Sequence, residues 1–167
     1  MSRVTAAVVA LLTAMAVFLT VFFVGMKTKY PPIVDAVRRM NRATFNPRQL
    51  PTAGTPGAFA SKVQHVGRNS GTAYETPVGV VATDDGFAIA LPYGTRADWV
   101  KNVLAAGSAT IVTEGETHEV DRPEIVPTET VERFFPPFDR RFLLVLVDEC
   151  LLVQRADEAD DPASEEA

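Results

Sequence analysis

The chain has 167 residues, of which 47% are hydrophobic and 22% charged, and its formal net charge is -5. This length is too short for two domains of ordinary size, since one domain commonly needs about 100–150 residues. The acidic balance, without a basic patch that carries interleaved aromatic residues, argues against nucleic-acid binding. The single Cys150 cannot form an internal disulfide.

An uninterrupted apolar segment begins the chain. Residues 4–26 contain no charged residue and no proline, and as a helix they would extend roughly 35 Å, enough to cross a hydrocarbon layer of about 30 Å. The segment is longer than the apolar part of a cleaved signal and lacks a small-x-small site, so we expect residues 1–27 to be retained as a transmembrane anchor. More basic residues follow the span than precede it, which predicts a single-pass protein of the cell membrane whose domain faces the cytoplasm.

Residues 28–57 are expected to form an amphipathic helix and a linker. Apolar residues recur at helical spacing after Pro31 and Pro32, with arginines between them. Asn46-Pro47 is expected to end this helix, and the Gly- and Pro-rich residues 51–57 are typical of a linker. The basic charge of the segment favours contact with anionic membrane lipid, at about 1 kcal/mol per residue near the surface.

From residue 58 the hydrophobic period changes to two, which predicts a series of short strands. We expect strands over 58–67, 73–82, 87–91, 110–113 and 117–120, and a last one over 141–147 that extends through 153. Asp84-Asp85-Gly86 predicts a hairpin turn. Asp98 is expected to cap a helix that ends at Gly107, and residues 129–134 to form a second short helix. The predicted fold class is therefore mainly β, with α+β character: a small, largely antiparallel β-barrel over residues 58–155.

The remaining residues, 156–167, carry only acidic charges and are expected to be a disordered tail. No metal site is expected, because His65, His118 and Cys150 do not form a recognisable zinc-binding set.

Two strings of residues are candidates for chemistry. In the first, residues 65–71 (HVGRNSG), Arg68 offers a planar cationic fork, and Asn69 and Ser70 add hydrogen-bond donors, so this turn is suited to a phosphate. A solvated polar hairpin turn is the alternative for this string taken alone. In the second, residues 91–102, Trp99 and Asn102 are three positions apart on a predicted helix and address the same space, which suits a flat heterocycle. The alternative is that Trp99 is a core anchor and Asn102 a surface residue.

Four blocks, in order and spacing, resemble the deazaflavin-dependent nitroreductases and quinone reductases of actinobacteria. The blocks are residues 66–71 (VGRNSG), 75–78 (ETPV), 91–94 (LPYG) and 98–102 (DWVKN). The resemblance covers roughly residues 58–126. It implies a split β-barrel, of the kind seen in FMN-binding barrels, that binds coenzyme F420, an 8-hydroxy-5-deazaflavin with a phosphate and an oligoglutamate tail.

The resemblance also implies roles for individual residues by matching position. It assigns the phosphate and the acidic tail to Arg68, Asn69, Ser70 and Gly71. It assigns the border of the ring to Pro77, Val78, Pro92, Tyr93 and Gly94, and the rest of the pocket to Trp99 and Asn102. The implied reaction is hydride transfer from the reduced cofactor to a quinone, a nitroaromatic or an activated alkene, in which the cofactor carries the difficult step. Tyr74 and Tyr93 are candidates to hydrogen-bond a substrate oxygen, with a packing role as the alternative for each.

One departure from the family pattern keeps other functions open. Asn69 stands where many members have a lysine or an arginine. The missing cation supports an alternative in which the barrel is a non-catalytic binding protein for F420 or for an apolar ligand such as a fatty acid. A related enzyme that uses FMN or haem on the same barrel is a second alternative. A homodimer is expected by analogy with split barrels alone, and a menaquinone-like acceptor is favoured because the anchor holds the domain near the bilayer.

Overall fold

In the computed structural model, which describes residues 2–156, the chain begins with the helix α1 (Arg3–Lys27). The Ser2 hydroxyl accepts a hydrogen bond from the backbone N–H of Thr5 and so caps the helix. Only Gly25 and Met26 of α1 are buried against the rest of the protein. The helix is confirmed, and its length and composition fit a membrane span or a signal sequence. From residue 157 onward, the predicted acidic tail lies outside the residues that the structure describes.

A second helical region follows after a three-residue turn. Helix α2 (Pro31–Met40) begins with two prolines in its first turn, where a missing N–H costs nothing. The predicted end at Asn46-Pro47 is wrong: a π-helical turn (Asn41–Phe45) leads directly into α3 (Asn46–Gln49). Pro47 lies in the first turn of α3, directly after the π-helical turn, and the helical conformation continues through it.

Seven strands form one sheet, in which each pairing between described strands is antiparallel. In chain order the strands are β1 (Ser61–Val66), β2 (Ala73–Val78), β3 (Val80–Ala82), β4 (Gly86–Ala90), β5 (Ser108–Thr113), β6 (Glu116–Pro127) and β7 (Glu149–Arg155). The order across the sheet is β2-β1-β5-β6-β7-β4-β3. Since Gly79 alone joins β2 to β3, the two outer edges must lie close together, and the sheet must curl into a half-barrel. The predicted split β-barrel fold, mainly β with helices, is confirmed.

Two predicted strands are corrected by the structure. The strand expected over residues 73–82 is divided at Gly79, because the chain passes there from one edge of the sheet to the other. The strand expected over 141–147 is instead part of helix α6 (Pro137–Leu146). A short apolar run does not distinguish a strand from a buried helix by its period, and Pro137 at the start is typical of a helix. The side chains of residues 138, 139 and 142–144 fall outside the described part of α6.

Two hydrophobic clusters lie on opposite faces of β4 and β7. Phe87, Ile89 and Leu91 point into the first cluster, where the helix α4 (Asp98–Ala106) also packs. Ala88 and Cys150 point into the second, against α5 (Thr128–Val131), the following 3-10 turn (Glu132–Phe134) and α6. Each large apolar side chain that is fully buried contributes roughly 1.5–3 kcal/mol. The first cluster fixes α4, and α4 carries part of the candidate site.

Candidate functional site

The β1–β2 turn has the tight geometry that its two glycines permit. The backbone N–H of Gly71 donates to the carbonyl of Gly67 at 2.8 Å, and the N–H of Gly67 donates to the carbonyl of Thr72 at 2.8 Å. Gly71 has a φ of 67°, a left-handed conformation that favours glycine. A Cβ on Gly67 would come within 2.8 Å of the ring of Tyr74. The turn therefore exposes Asn69 and Ser70 at its tip.

Arg68 of this turn contacts α4 through two of its residues. Its guanidinium Nη1 donates to Asn102 Oδ1 at 2.8 Å, and its backbone N–H donates to the same oxygen at 3.2 Å. Its Nη2 lies 3.3 Å from Asp98 Oδ1. The first and fourth sequence blocks, whose contacting residues are 34 positions apart, thus meet directly. Asn102 is only 6% exposed, so its interpretation as a surface residue is wrong.

Asp98 does not cap α4, although its position in the sequence predicted that it would. The helix cap is Ala97, which makes no side-chain capping hydrogen bond, and Asp98 is the first helical residue. Its carboxylate contacts the Arg68 guanidinium, while no side chain that the structure describes caps the helix by a hydrogen bond. The predicted end of the helix is confirmed, since Gly107 has a φ of 75°.

A buried histidine lies behind this contact. Asn102 Nδ2 is 3.2 Å from His65 Nδ1, and His65 Nε2 is 3.2 Å from the hydroxyl of Thr76. The His65 ring stacks on Tyr74 with centroids 5.8 Å apart. Burial lowers the pKa of His65, so the imidazole favours its neutral form. His65 begins the first sequence string, but no site role was predicted for it; its inward position in the alternating pattern of β1 is a further signal.

A second group of the predicted residues lines a cleft of about 470 Å³ between α2 and the segment that follows β4. Tyr93 and Gly94 form one wall, and Val34 and Arg38 of α2 form the other. The Tyr93 hydroxyl accepts a hydrogen bond from the side-chain amide of Asn41, the first residue of the π-helical turn. Burial raises the pKa of Tyr93, so its phenol stays protonated. α2 therefore covers part of the barrel as well as following α1.

Lys29 connects the end of α1 to this cleft. Its ammonium donates to the carbonyl of Leu146 at 2.7 Å and to the carbonyl of Pro92 at 3.1 Å. Burial lowers the pKa of Lys29, whose charge Asp148 supports from 3.8 Å. Lys27 forms an ion pair with Asp148 at 3.0 Å. The end of the apolar helix is thus tied to the barrel beside the cleft.

The remaining predicted residues lie around these two groups. Trp99 is half-buried and packs against the first core cluster, which is the packing role given above as its alternative. Val78 packs against the same cluster from the edge strand β2, and Pro77 beside it is half-buried. Tyr74 is 45% exposed on β2. The candidate residues therefore form two groups, the Arg68–Asn102 contact and the Tyr93 cleft. The two groups are adjacent in sequence, because Arg96 lines the cleft and Asp98 contacts Arg68.

Within the described residues, no group of three or more histidine, cysteine, aspartate or glutamate side chains is placed to hold a metal ion. The groups that the structure places at this site are a cationic turn, a half-buried tyrosine and a partly covered cleft.

Comparison with known proteins adds little beyond general shape. No protein-family model matches the chain, and no curated protein matches it. Among solved structures, an F420-H2 dependent reductase (FDR-A) aligns with 57% of this chain and 93% of its own, at 15% identity and a TM-score of 0.43. A protein of unknown function from Agrobacterium tumefaciens aligns at 13% identity and a TM-score of 0.44, over 58% of this chain; this chain spans about half of its length (48%).

A third structure, described as a domain-swapped dimer, aligns with 72% of this chain and 98% of its own, at 15% identity and a TM-score of 0.42. Identities and TM-scores this low carry no argument about the ligand, the reaction or the oligomeric state of this protein.

Proposed function

We propose that this protein is a membrane-anchored oxidoreductase that binds coenzyme F420 and transfers a hydride from its reduced form to a quinone, a nitroaromatic or an activated alkene. One observation carries the proposal. Arg68 and Asn102, which belong to the first and last of the four sequence blocks, are in direct hydrogen-bond contact. Blocks that match a cofactor-binding family in order are expected to meet in space if they serve one ligand, and a solvated hairpin turn would not need a buried amide beneath it.

The chemistry of the residues fits the cofactor in two respects. The side chain of Arg68 is 31% exposed, so it remains partly open to an anion. The cleft at Tyr93, at about 470 Å³, has a volume within the usual range of small-molecule sites, about 300–1,000 Å³. Arg68 would hold the phosphate and acidic tail, and Tyr93 and Gly94 would border the ring.

The cofactor supplies the hydride when it is bound, and the protein supplies orientation and exclusion of water. Tyr93 is suited to a positioning contact because its phenol is a hydrogen-bond donor at neutral pH, and burial raises its pKa further from that range. α2, which forms one wall of the cleft, limits access of water from the side of the anchor. Pro77 and Val78 would approach the ring from β2, and Asn69 and Gly71 would complete the turn around the tail.

The anchor favours an apolar acceptor. Lys29 ties the end of α1 to the wall of the cleft through the carbonyl of Pro92. If α1 spans a membrane, the cleft then lies close to the headgroup region, within reach of a lipid-soluble quinone. Protein in liposomes should therefore reduce a menaquinone-like acceptor faster than a water-soluble analogue, and equal rates would contradict this part of the proposal. Protease digestion of the barrel in inside-out vesicles tests the proposed cytoplasmic orientation.

The cofactor is tested by binding to the full-length protein in detergent. Oxidised and reduced F420, FMN, haem and a fluorescent fatty acid are titrated separately, and quenching or spectral change is recorded. Saturable binding of F420 alone supports the proposal. Binding of FMN or haem alone would indicate an enzyme that uses that cofactor instead. Binding of the fatty acid alone would favour the non-catalytic alternative.

Deleting the guanidinium of Arg68 should weaken F420 binding. Arg68→Ala removes a charge-assisted contact worth about 1.5–3 kcal/mol, so the dissociation constant should rise by roughly 10- to 150-fold. Arg133→Ala is the matched control, because it deletes an arginine and an exposed ion pair to Asp84, which lies between β3 and β4 rather than in the β1–β2 turn. An equal effect of the two substitutions would show that Arg68 contributes only general charge.

A homodimer remains a prediction for this protein. Sedimentation of the full-length protein in detergent, at increasing concentration, tests it directly.

A further inference from the structure

The hydrogen bonds around Asn102 determine which way its amide points. The backbone N–H and the guanidinium of Arg68 can only donate, and both lie within 3.2 Å of one end of the amide. That end must be the carbonyl oxygen, since an NH₂ group there would face two donors. The NH₂ of Asn102 therefore points to His65 Nδ1, at 3.2 Å, and donates to it.

The same logic fixes the proton of His65. A nitrogen that accepts a hydrogen bond from an amide carries no proton, so Nδ1 is unprotonated and the neutral ring has its proton on Nε2. Nε2 then donates to the hydroxyl of Thr76, which lies 3.2 Å away on β2. A chain of directed hydrogen bonds thus runs from Thr76 through His65 and Asn102 to Arg68.

We propose that His65 is a positioning residue: its neutral form, with the proton on Nε2, orients Asn102 and thereby docks the Arg68 turn on α4. His65 itself does not touch the proposed cofactor, and it acts through Asn102. The relevance to cofactor binding rests on the proposed function, whereas the orientation of the turn does not.

Protonation of His65 should undo this arrangement. A proton on Nδ1 would face the NH₂ of Asn102, and the amide would have to rotate, which would turn its NH₂ toward the donors of Arg68. Among the charged or titratable groups of the packed elements, Tyr74 on β2 stacks on the imidazole. Arg68 in the turn is joined to the ring through Asn102, and Asp98 on α4 lies beyond Arg68. Burial disfavours the imidazolium further. The turn is therefore docked at neutral pH and released in acid.

The tautomer can be measured without any cofactor. The chain contains two histidines, so ¹⁵N-histidine labelling of the full-length protein in detergent, with His118→Gln to identify the second signal, reports His65 alone. We expect a bare Nδ1 and a protonated Nε2 above the usual histidine pKa of about 6.5. Asn102→Asp places only acceptors beside Nδ1, so the proton should move to Nδ1 and the pKa of His65 should rise. A protonated Nδ1 in the unsubstituted protein would overturn the proposal.

Hydrogen exchange at the backbone N–H of Arg68 measures docking of the turn. Exchange should be slow at neutral pH and, once exchange chemistry is corrected for, about fivefold or more faster when His65 is protonated, the equivalent of one lost hydrogen bond. His65→Asn places an acceptor oxygen near the position of Nδ1 and cannot titrate, so it should retain protection and lose the pH dependence. His65→Leu offers no acceptor and should lose protection at every pH. Equal exchange in the Asn and Leu variants would overturn the proposal.

The pH dependence of the affinity for F420 is a separate test. It should fall in acid for the unsubstituted protein and remain constant for His65→Asn. A protein that shows the tautomer and the exchange pattern but ignores F420 would contradict the proposed function alone. A protein that binds F420 with the same pH profile in both forms would contradict the positioning role alone.

Discussion

Asp98 occupies an unexpected place for a site that is proposed to hold an anion. Its carboxylate lies 3.3 Å from Arg68 Nη2 and is 55% exposed. At this exposure the ion pair is worth about 0–1 kcal/mol. A phosphate that binds Arg68 must compete with this carboxylate and is also repelled by it. Asp98→Asn keeps the size of the side chain and removes both effects.

We therefore expect Asp98→Asn to tighten F420 binding. The gain should be about 0.5–1 kcal/mol, which is roughly a two- to fivefold lower dissociation constant at low salt. It should shrink as salt increases, since the Debye length falls from about 10 Å at 0.1 M to about 3 Å at 1 M. The protein itself should become slightly less stable, by about 0.3–1 kcal/mol, because Asp98 lies in the first turn of α4 and interacts with its helix dipole.

Fluorescence titrations of F420 at several salt concentrations measure this gain. Asp84→Asn is the matched control, because it removes an exposed carboxylate that pairs with Arg133 away from the turn. The gain should be smaller when Arg68→Ala is combined with Asp98→Asn, since the competition for the guanidinium is then absent and only the direct repulsion of the anion remains. Unchanged or weaker binding by Asp98→Asn at low salt would refute the assignment of the anionic tail to Arg68.

Two further predictions concern the fold that carries the site. Gly86→Ala should destabilise the barrel by about 1–3 kcal/mol or more in denaturant unfolding. The reason is that a Cβ at this position would lie 2.0 Å from the backbone carbonyl oxygen of Val153 on the paired strand. Gly79→Ala, whose Cβ would meet open space, is the control. The free energy of unfolding should also fall in acid, because burial lowers the pKa of His65 in the folded protein. The stability that His65 contributes is complete above its pKa in the unfolded chain, about 6.5, and is lost as the pH falls toward its pKa in the folded protein. Unfolding measured against pH should show this slope in the unsubstituted protein and a smaller one in His65→Asn.

Local features of the chain were readable from the sequence because they depend on neighbouring residues. The long apolar helix, the hairpin at Asp85-Gly86 and the helix end at Gly107 all follow from backbone preferences and short-range periodicity. The same short range explains two errors. The apolar part of α6 resembles a strand within any short window, and Pro47 suggests a helix end unless the preceding turn is known to be π-helical.

Only the tertiary structure decided what the candidate residues contact. The four blocks could be listed from the sequence. How α4 packs against β1 and the β1–β2 turn decides three further features: Asn102 is buried beneath Arg68, Asp98 pairs with the guanidinium rather than capping α4, and His65 completes the network. The division at Gly79 depends likewise on the curl of the whole sheet. Residue type and spacing determined the elements and the available chemical groups, since these are properties of the local chain. Which groups meet was decided by packing between elements far apart in sequence, since burial and hydrogen bonding select among arrangements that the local chain allows equally.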